Sequence, residues 1–273
     1  MRRLSTDQLP LEWGDVAQDY EESFEALTVQ HADDVLARLA LKPGERVLDV
    51  AAGTGAFALR AARAGAEVLA VDFAPGMVAR LRDRIAEQRL RRITAEVMDG
   101  QGLDVPDASF DASVSILGVI FFPDIARGLA EMRRVLRANG RAAVVCWSDP
   151  SRLELATLVQ RAVREVAPDF TPPAEQPSWA RIDGGRDLGE RMLRSGFREV
   201  EVTNTTRALE VARPREFWER FASSAPPLAD LFRELGPART AAVGKAWVAS
   251  LRAAAGGWVP TVTVEACIGI GRA

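Results

Sequence analysis

Apolar positions between residues 43 and 150 follow two spacings that alternate along the chain. Short, nearly continuous apolar runs predict strands that begin at 47 and cover 67–71, 93–98, 110–117 and 141–147. Between them, apolar residues recur every three or four positions, which predicts helices over 56–63, from 75 onward and over about 123–137. Asn139 and Gly140 are expected to end the last of these helices as a left-handed cap. Strands that alternate with helices in this way favour right-handed βαβ units and a parallel sheet.

The pattern is less regular on both sides of this stretch. Helical spacing predicts two N-terminal helices, over 12–24 and 28–41. After 150 it predicts helices over 153–166 and 185–195, a proline-rich loop over 168–177, and strands over 199–208 and 261–270. About fifty residues separate the last two strands and hold at least two helices, near 214–223 and 241–255, so we expect a cap rather than a bare loop. We therefore predict one domain, 1–273, made of an N-terminal helical segment (1–42), a cofactor-binding core (43–150) and a substrate-side half (151–273) whose cap covers about 209–258.

Composition narrows the classes of function. The 273 residues are 48% hydrophobic and carry a net charge of −3, so a sizeable core is expected and no basic field suggests a nucleic-acid partner. Two cysteines and one histidine are too few for a zinc site, and Cys146 and Cys267 are expected to be buried, reduced thiols. No apolar run is long enough to span a membrane, and the first seven residues lack the apolar core of a signal peptide. We expect a cytoplasmic monomer or homodimer without metal, membrane or nucleic-acid partners.

The joint between the first strand and its helix carries the strongest chemical signal. After Asp49 the strand runs into a turn, Gly53-Thr54-Gly55, that brings backbone N–H groups and the positive end of a helix to one point. Asp72 ends the second strand, where a carboxylate can accept hydrogen bonds from the two hydroxyls of a ribose. This geometry serves either a dinucleotide or S-adenosylmethionine, and the turn also satisfies the relaxed dinucleotide pattern. The turn alone therefore leaves the cofactor open.

Longer motifs in the same half of the chain resemble one family. The segments 47–57, 71–77 and 110–140 match, in order and spacing, motifs of the class I S-adenosylmethionine-dependent methyltransferases. The likeness is greatest to the group that includes the ubiquinone/menaquinone-biosynthesis enzymes and many small-molecule and natural-product methyltransferases, and it covers about residues 40–147. The resemblance implies S-adenosylmethionine as the cofactor. It also implies an α/β fold: a Rossmann-like, doubly wound sheet of about seven strands, the last one antiparallel, with N-terminal helices and a helical cap inserted before the last strand.

The resemblance also implies roles for individual residues. It places Asp49 near the sulfonium and the amine of the cofactor, Ala51, Gly53, Thr54 and Gly55 around the methionine moiety, Asp72 on the ribose, Phe73 and Met77 beside the adenine, Asp99 and Gly100 at the adenine amino group, and Ile116 through its backbone. Such enzymes often place an N-terminal aromatic ring over the cofactor, which makes Trp13 and Tyr20 candidates. Ala51 stands where the family has a glycine, Ile116 where it often has a serine, and 138–140 where it has Pro-Gly-Gly.

Each of these residues also has a plainer interpretation. Asp49 would be a strand-end acid that accepts hydrogen bonds from nearby N–H groups, and the same holds for Asp72. Asp99 would be a turn former before Gly100. Trp13 and Tyr20 would be packing residues.

Methyl transfer from a sulfonium is an in-line displacement, to which a protein mainly contributes orientation and exclusion of water. His31, the single histidine, is the candidate general base, and its plainer interpretation is a partly exposed helix residue. Aromatic residues after 150 predict a cap core and an apolar pocket, and hence a small, apolar or aromatic substrate methylated at oxygen, carbon or nitrogen. Two alternatives stay open. One is an NAD-dependent oxidoreductase, although no Tyr-x-x-x-Lys pair is present. The other is a protein that binds the cofactor without transferring methyl, such as a cyclase or a binding module.

Overall fold

The sheet of this protein has the strand order β3-β2-β1-β4-β5-β7-β6. The computed structural model describes residues 5–171 and 177–273, so residues 172–176 of the predicted proline-rich loop lie outside the described residues, as do residues 1–4. The strands are β1 (Arg46–Val50), β2 (Glu67–Asp72), β3 (Ile93–Val97), β4 (Phe110–Ile116), β5 (Leu136–Trp147), β6 (Arg198–Glu210) and β7 (Thr261–Arg272). The pairs among β1 to β5 are parallel, whereas β7 is antiparallel to both β5 and β6. This confirms the Rossmann-like sheet of seven strands with an antiparallel last strand.

Helices cover both faces of the sheet and also form the N-terminal segment and the cap. They are α1 (Pro10–Asp15), α2 (Ala17–Asp19), α3 (Glu25–Leu39), α4 (Ala58–Arg63), α5 (Pro75–Glu87), α6 (Ile125–Arg134), α7 (Glu154–Val166), α8 (Gly184–Arg194), α9 (Pro214–Phe221), α10 (Pro226–Leu235) and α11 (Pro237–Ala255). The last three lie between β6 and β7, where the sequence predicts a helical cap. Within the described residues, no helix is long and apolar enough to cross a membrane.

The central strands are buried because helices cover both of their faces. Val47, Leu48 and Val50 of β1 have no exposed surface, and β4 is almost as deeply buried. Parallel sheets of this kind read as continuous apolar runs, which is why the pattern from 47 to 147 predicts them so well. Cys146 and Cys267 are buried as expected and lie opposite each other across β5 and β7.

The predicted single helix over 12–24 is wrong. The chain breaks after α1, resumes as the short α2, and then forms a π-helical turn at Tyr20–Phe24 that runs directly into α3. Close contact with α5 explains the break, since a Cβ placed on Gly76 would lie 2.5 Å from the Cα of Gly14. The two backbones meet where neither residue has a side chain.

The predicted helix cap at Asn139-Gly140 is also wrong. Helix α6 already ends at Arg134, and Leu136 pairs with Phe110 as the first residue of β5. The pairing of β4 with β5 shifts register between Phe110 and Ala112, and Asn139 lies in this irregularity with a positive φ of 63°. A left-handed residue is therefore present as the sequence suggests, but it serves a β-bulge rather than a helix end.

Candidate functional site

A cavity of about 520 Å³ opens beyond the carboxyl ends of the parallel strands. Its wall includes residues that directly follow or end β1, β2, β3 and β4, as the parallel sheet predicts. Ten of the candidate residues line it: Trp13, Tyr20, Ala51, Gly53, Asp72, Phe73, Met77, Asp99, Gly100 and Ile116. Asp49, Thr54, Gly55 and His31 are not part of its lining.

The turn after β1 presents backbone rather than side chains to this cavity. Ala51, Gly53 and Gly55 all adopt positive φ, at 56°, 55° and 94°. A Cβ on Gly53 would find only Tyr20, at 3.9 Å, so the turn is open toward the cavity at that point. A Cβ on Gly55 would lie 2.3 Å from Leu81 of α5. Gly55 is therefore required for packing of the turn against α5 and not as a wall of the cavity.

Asp72 connects the turn to the end of β2. Its Oδ2 accepts a hydrogen bond from the N–H of Gly53 at 2.8 Å, and its Oδ1 accepts one from the N–H of Ala74 at 2.9 Å. Each oxygen keeps a second lone pair for a ligand hydroxyl. Burial raises the pKa of Asp72 to about 6, and the two N–H donors oppose that rise.

Asp49 lies in β1 just below the turn and is 2% exposed. Its carboxyl group accepts a hydrogen bond from the N–H of Ala58 at the start of α4, while its Oδ2 has no partner among the described residues. Burial raises the pKa of Asp49 to about 8, and the nearby Asp72 adds to the rise. A buried carboxylate oxygen without a donor is costly, so the site is suited to a cationic or hydrogen-bonding ligand group.

Asp99 and Gly100 follow β3 in different environments. Asp99 is exposed and accepts hydrogen bonds from the backbone and the side chain of Gln101, at 2.9 and 3.1 Å. Gly100 is buried, and a Cβ there would lie 2.6 Å from both Phe122 and Val50. Asp99 thus forms the turn of its plainer interpretation and also faces the cavity.

N-terminal aromatic rings cover the cavity from the other side. Trp13 and Tyr20 both line it, with ring centroids 6.2 Å apart, and the indole N–H of Trp13 donates to the carbonyl of Asp7 at 2.9 Å. Burial raises the pKa of Tyr20 well above its usual value, so this phenol stays protonated. The π-helical turn also brings Phe24 into the wall, a residue that sequence reasoning does not single out.

Comparison with known proteins shows which family this chain resembles. Residues 47–140 match the family model described as a methyltransferase domain. The chain is 43% identical over 115 residues to the ubiquinone/menaquinone biosynthesis C-methyltransferase UbiE of Geobacter sulfurreducens, which covers 40% of this chain and 45% of the relative. These matches confirm the resemblance to the class I S-adenosylmethionine-dependent methyltransferases that the sequence motifs predict.

Two other matches extend over more of the chain than the match to UbiE does. An uncharacterized protein of Mycobacterium tuberculosis is 33% identical over 178 residues, which covers 64% of this chain and 65% of the relative. The crystal structure of the [4+2]-cyclase SpnF shares the fold with a TM-score of 0.55 and 25% identity, and the match covers 89% of this chain and 80% of that one. The chain spans less than two thirds of the length of the Mycobacterium tuberculosis protein and of UbiE, the curated relatives that it matches.

The second half of the chain supplies an apolar wall to the same cavity. Its side chains come from β5, β7, the start and body of α7, the turn at Ser178–Ala180 and the cap, and they are Trp147, Leu153, Leu155, Ala156, Val159, Trp179, Phe221, Leu228, Leu231 and Val264. Trp218, Trp247 and Phe217 instead stack within the cap, with centroids 5.4 to 6.0 Å apart. The aromatic residues after 150 predict both a cavity wall and a cap core, but the sequence does not show which residue belongs to which.

His31, the candidate general base, does not line the cavity. It is fully buried rather than partly exposed, and its Nδ1 lies 3.4 Å from Thr205 Oγ1 and 4.0 Å from Asp34. The ring packs edge-on against Trp147, at 6.2 Å between centroids, and Trp147 is the residue that faces the cavity. Burial lowers the pKa of His31 to about 4, so it is a neutral core residue.

A buried ion pair that sequence reasoning does not single out holds the glycine turn from behind. Arg84 of α5 donates to both carboxylate oxygens of Glu25, at 2.8 and 2.6 Å, and to the carbonyl of Thr54 at 2.8 Å. The hydroxyl of Thr54 donates to Glu25 as well. Thr54 therefore fixes the turn to α3 and α5 rather than facing a ligand. No local spacing signals this contact, because its three members are far apart in sequence.

Proposed function

We propose that this protein transfers a methyl group from S-adenosylmethionine to a small, mostly apolar acceptor. One observation carries the proposal. A single cavity has a polar end, formed by Asp72 and by the turn at Gly53, and an apolar wall around Trp147 and Phe221. A volume of about 520 Å³ is within the usual range for small-molecule sites.

The polar end fits the cofactor in its donor set. Asp72 has free lone pairs for the ribose hydroxyls, and the partnerless Oδ2 of Asp49, which lies behind the lining, would attract the ammonium group through its charge. Phe73 and Met77 would flank the adenine, with Asp99 and Gly100 at its amino group. The backbone of Ala51, Gly53 and Ile116 would complete this contact, and Trp13 and Tyr20 would cover it. The sulfonium of the bound cofactor supplies the activated methyl group.

The chain itself would contribute orientation and exclusion of water. Among the described residues that line the cavity, the titratable side chains are Tyr20, Asp72 and Asp99. Tyr20 stays protonated and can only position an acceptor through its hydroxyl. We therefore propose an acceptor that is nucleophilic without a histidine base, such as an electron-rich carbon or an already ionised oxygen. Alignment alone can supply effective concentrations of about 10⁵ M or more.

A cyclase is the second candidate, and the similarity to SpnF favours it. Such a protein would keep the cofactor end of the cavity and use the apolar wall to fold a reactive chain. The two functions differ in one product, because only methyl transfer releases S-adenosylhomocysteine.

Thermal shift with S-adenosylmethionine, S-adenosylhomocysteine, NAD and NADP tests the cofactor. A ligand at 100 times its dissociation constant should stabilise the protein by about 2.7 kcal/mol. Stabilisation by NAD alone would contradict the proposal. Release of S-adenosylhomocysteine, measured against a panel of phenols, quinols and other apolar acceptors, then tests the reaction. Cofactor binding with turnover of a polyene substrate but without such release would favour the cyclase.

A further inference from the structure

The sheet ends in two edges of very different length. The β3 edge has five residues, whereas β6, at the other edge, has thirteen. None of the thirteen is fully buried, in contrast to most of its neighbour β7. A long exposed edge strand presents a row of unpaired backbone groups, and such edges pair with other chains unless the protein prevents it.

The hydrogen bonds between β6 and β7 show which backbone groups of β6 face away from the sheet. The N–H of Val211, just after β6, donates to the carbonyl of Pro260 at 2.7 Å. Because residues in an antiparallel pair alternate, the odd positions of β6 point to β7, and Val202, Asn204 and Thr206 point their N–H and C=O groups outward. The side-chain amide of Gln30 donates to the carbonyl of Ala208 at 3.1 Å, which agrees with an outward carbonyl there.

At both ends of β6, fewer backbone groups are available to pair with another strand. Gln30 occupies the outward carbonyl of Ala208 at one end. At the other end, the pairing with β7 shifts register between Arg198 and Glu201, and Glu199 has a positive φ of 49°. The regular stretch from Glu201 to Arg207 remains available to a partner strand.

We propose that a second copy of this chain pairs with β6 in antiparallel fashion, about a two-fold axis at Asn204. In this register Asn204 faces Asn204 of the second copy, and Val202 faces Thr206 of the second copy. All of these residues have outward backbone groups, so each pair can exchange both of its N–H···O=C bonds.

Charge complementarity selects this register. It places Glu201 directly opposite Arg207 of the second copy, and the two-fold axis makes the same pair again. The neighbouring registers that keep the outward groups paired place Glu201 opposite Thr205 or Leu209 instead. Glu201 is exposed and has no ion pair among the described residues. Arg207 binds Asp34 through Nε and Nη2, so its Nη1 is available, and its side chain is 39% exposed.

The charges of Glu201 and Arg207 have a second physical interpretation, in which they only prevent β6 from pairing with another chain. Sedimentation equilibrium of the full chain between about 1 and about 200 µM separates the two. We expect a concentration-dependent dimer. Glu201→Arg should raise the dimer dissociation constant about tenfold or more, because two opposite-charge pairs become like-charge pairs. The double variant Glu201→Arg/Arg207→Glu should restore dimerisation.

Asn204→Pro provides an independent variant. It removes an N–H that points outward and leaves the bonds to β7 in place, so it should abolish the dimer. Thermal unfolding of each variant shows whether the fold is kept, since Arg207→Glu also removes the contact with Asp34. A wild-type monomer at every concentration would overturn the proposal. So would a dimer that Glu201→Arg and Asn204→Pro leave unchanged, since its interface would lie elsewhere.

Discussion

The side chain of Ala51 occupies the space that Gly118 leaves open. A Cβ on Gly118 would lie 2.4 Å from the Cβ of Ala51 and 3.0 Å from the hydroxyl of Ser115. Both residues line the cavity, one after β1 and the other after β4. Ala51 stands where related methyltransferases have a glycine, and it adopts a φ of 56° that favours glycine. The departure from the family pattern at Ala51 is thus accommodated by a glycine that lies far away in sequence.

Gly118→Ala tests this relationship. The residue has a φ of −97°, which alanine adopts freely, so the cost comes from close contacts, above all the clash with the Cβ of Ala51. We expect a loss of about 1 to 3 kcal/mol of unfolding free energy and weaker cofactor binding. Ala51→Gly in the same chain should restore most of both, because it removes the opposing Cβ. Chemical denaturation of the two single variants and the double variant gives the coupling energy. Additive effects would show that the two positions do not contact each other.

Asp72→Asn tests the proposed ribose contact. The amide keeps the shape of the side chain but loses charge and one acceptor, because its NH₂ group can accept neither from the backbone N–H that it would face nor from a ribose hydroxyl. We expect cofactor affinity to fall about tenfold to a hundredfold, measured by calorimetry or thermal shift. Asp83→Asn, at an exposed acid of α5, is the matched control and should bind as the wild type does. Equal responses of the two variants would remove Asp72 from the site.

Much of this arrangement is predictable from sequence, for a physical reason. Buried parallel strands are continuous apolar runs, and ligands bind where such strands end, so the apolar pattern alone places Asp72, Asp99 and Ile116 at one edge of the sheet. The contacts that the sequence does not predict join distant segments. Ala51 with Gly118, and Glu25 with Arg84, depend on how β4 and α5 pack, and no local spacing reports that. His31 is the opposite case. Its chemistry suits a general base, but the packing of α3 buries it away from the cavity.

Asp49 predicts an unusual pH dependence of the cofactor-free protein. Its pKa is raised from 3.8 to about 8 by burial, so the folded state keeps a proton that the unfolded state has lost. Because the folded state binds more protons in this range, stability should fall as pH rises from about 4 to 8 and then level off. Asp72, with a pKa of about 6, adds to the lower part of this fall.

Asp49→Asn should therefore raise the melting temperature of the cofactor-free protein at pH 8 by several degrees and flatten its pH profile. The same variant should lose affinity for S-adenosylmethionine, because the ammonium group would lose its counter-charge. Melting temperatures between about pH 5 and 9, with and without the cofactor, measure both effects. A variant whose profile matches that of the wild type would show that Asp49 is already ionised in the empty protein.

Glu25 and Arg84 should behave as one unit in a double-mutant cycle. The side chain of Glu25 is 5% exposed and that of Arg84 is 14% exposed, so removal of Arg84 leaves Glu25 buried without its cation, whereas removal of Glu25 leaves Arg84 paired with Glu21 at 3.4 Å. We expect Arg84→Met to cost about 3 to 5 kcal/mol of unfolding free energy and the double variant Glu25→Ala/Arg84→Met to cost less than the sum of its singles. Cofactor affinity should fall with either single variant, because Thr54 loses the contacts that fix the glycine turn. Arg80→Met removes the contact of Arg80 with Glu21 but leaves Glu21 paired with Arg84 and Arg84 bound to the turn, so it should leave affinity unchanged. If Arg80→Met weakens binding as much as Arg84→Met does, the effect would come from the general attachment of the N-terminal segment and not from Thr54.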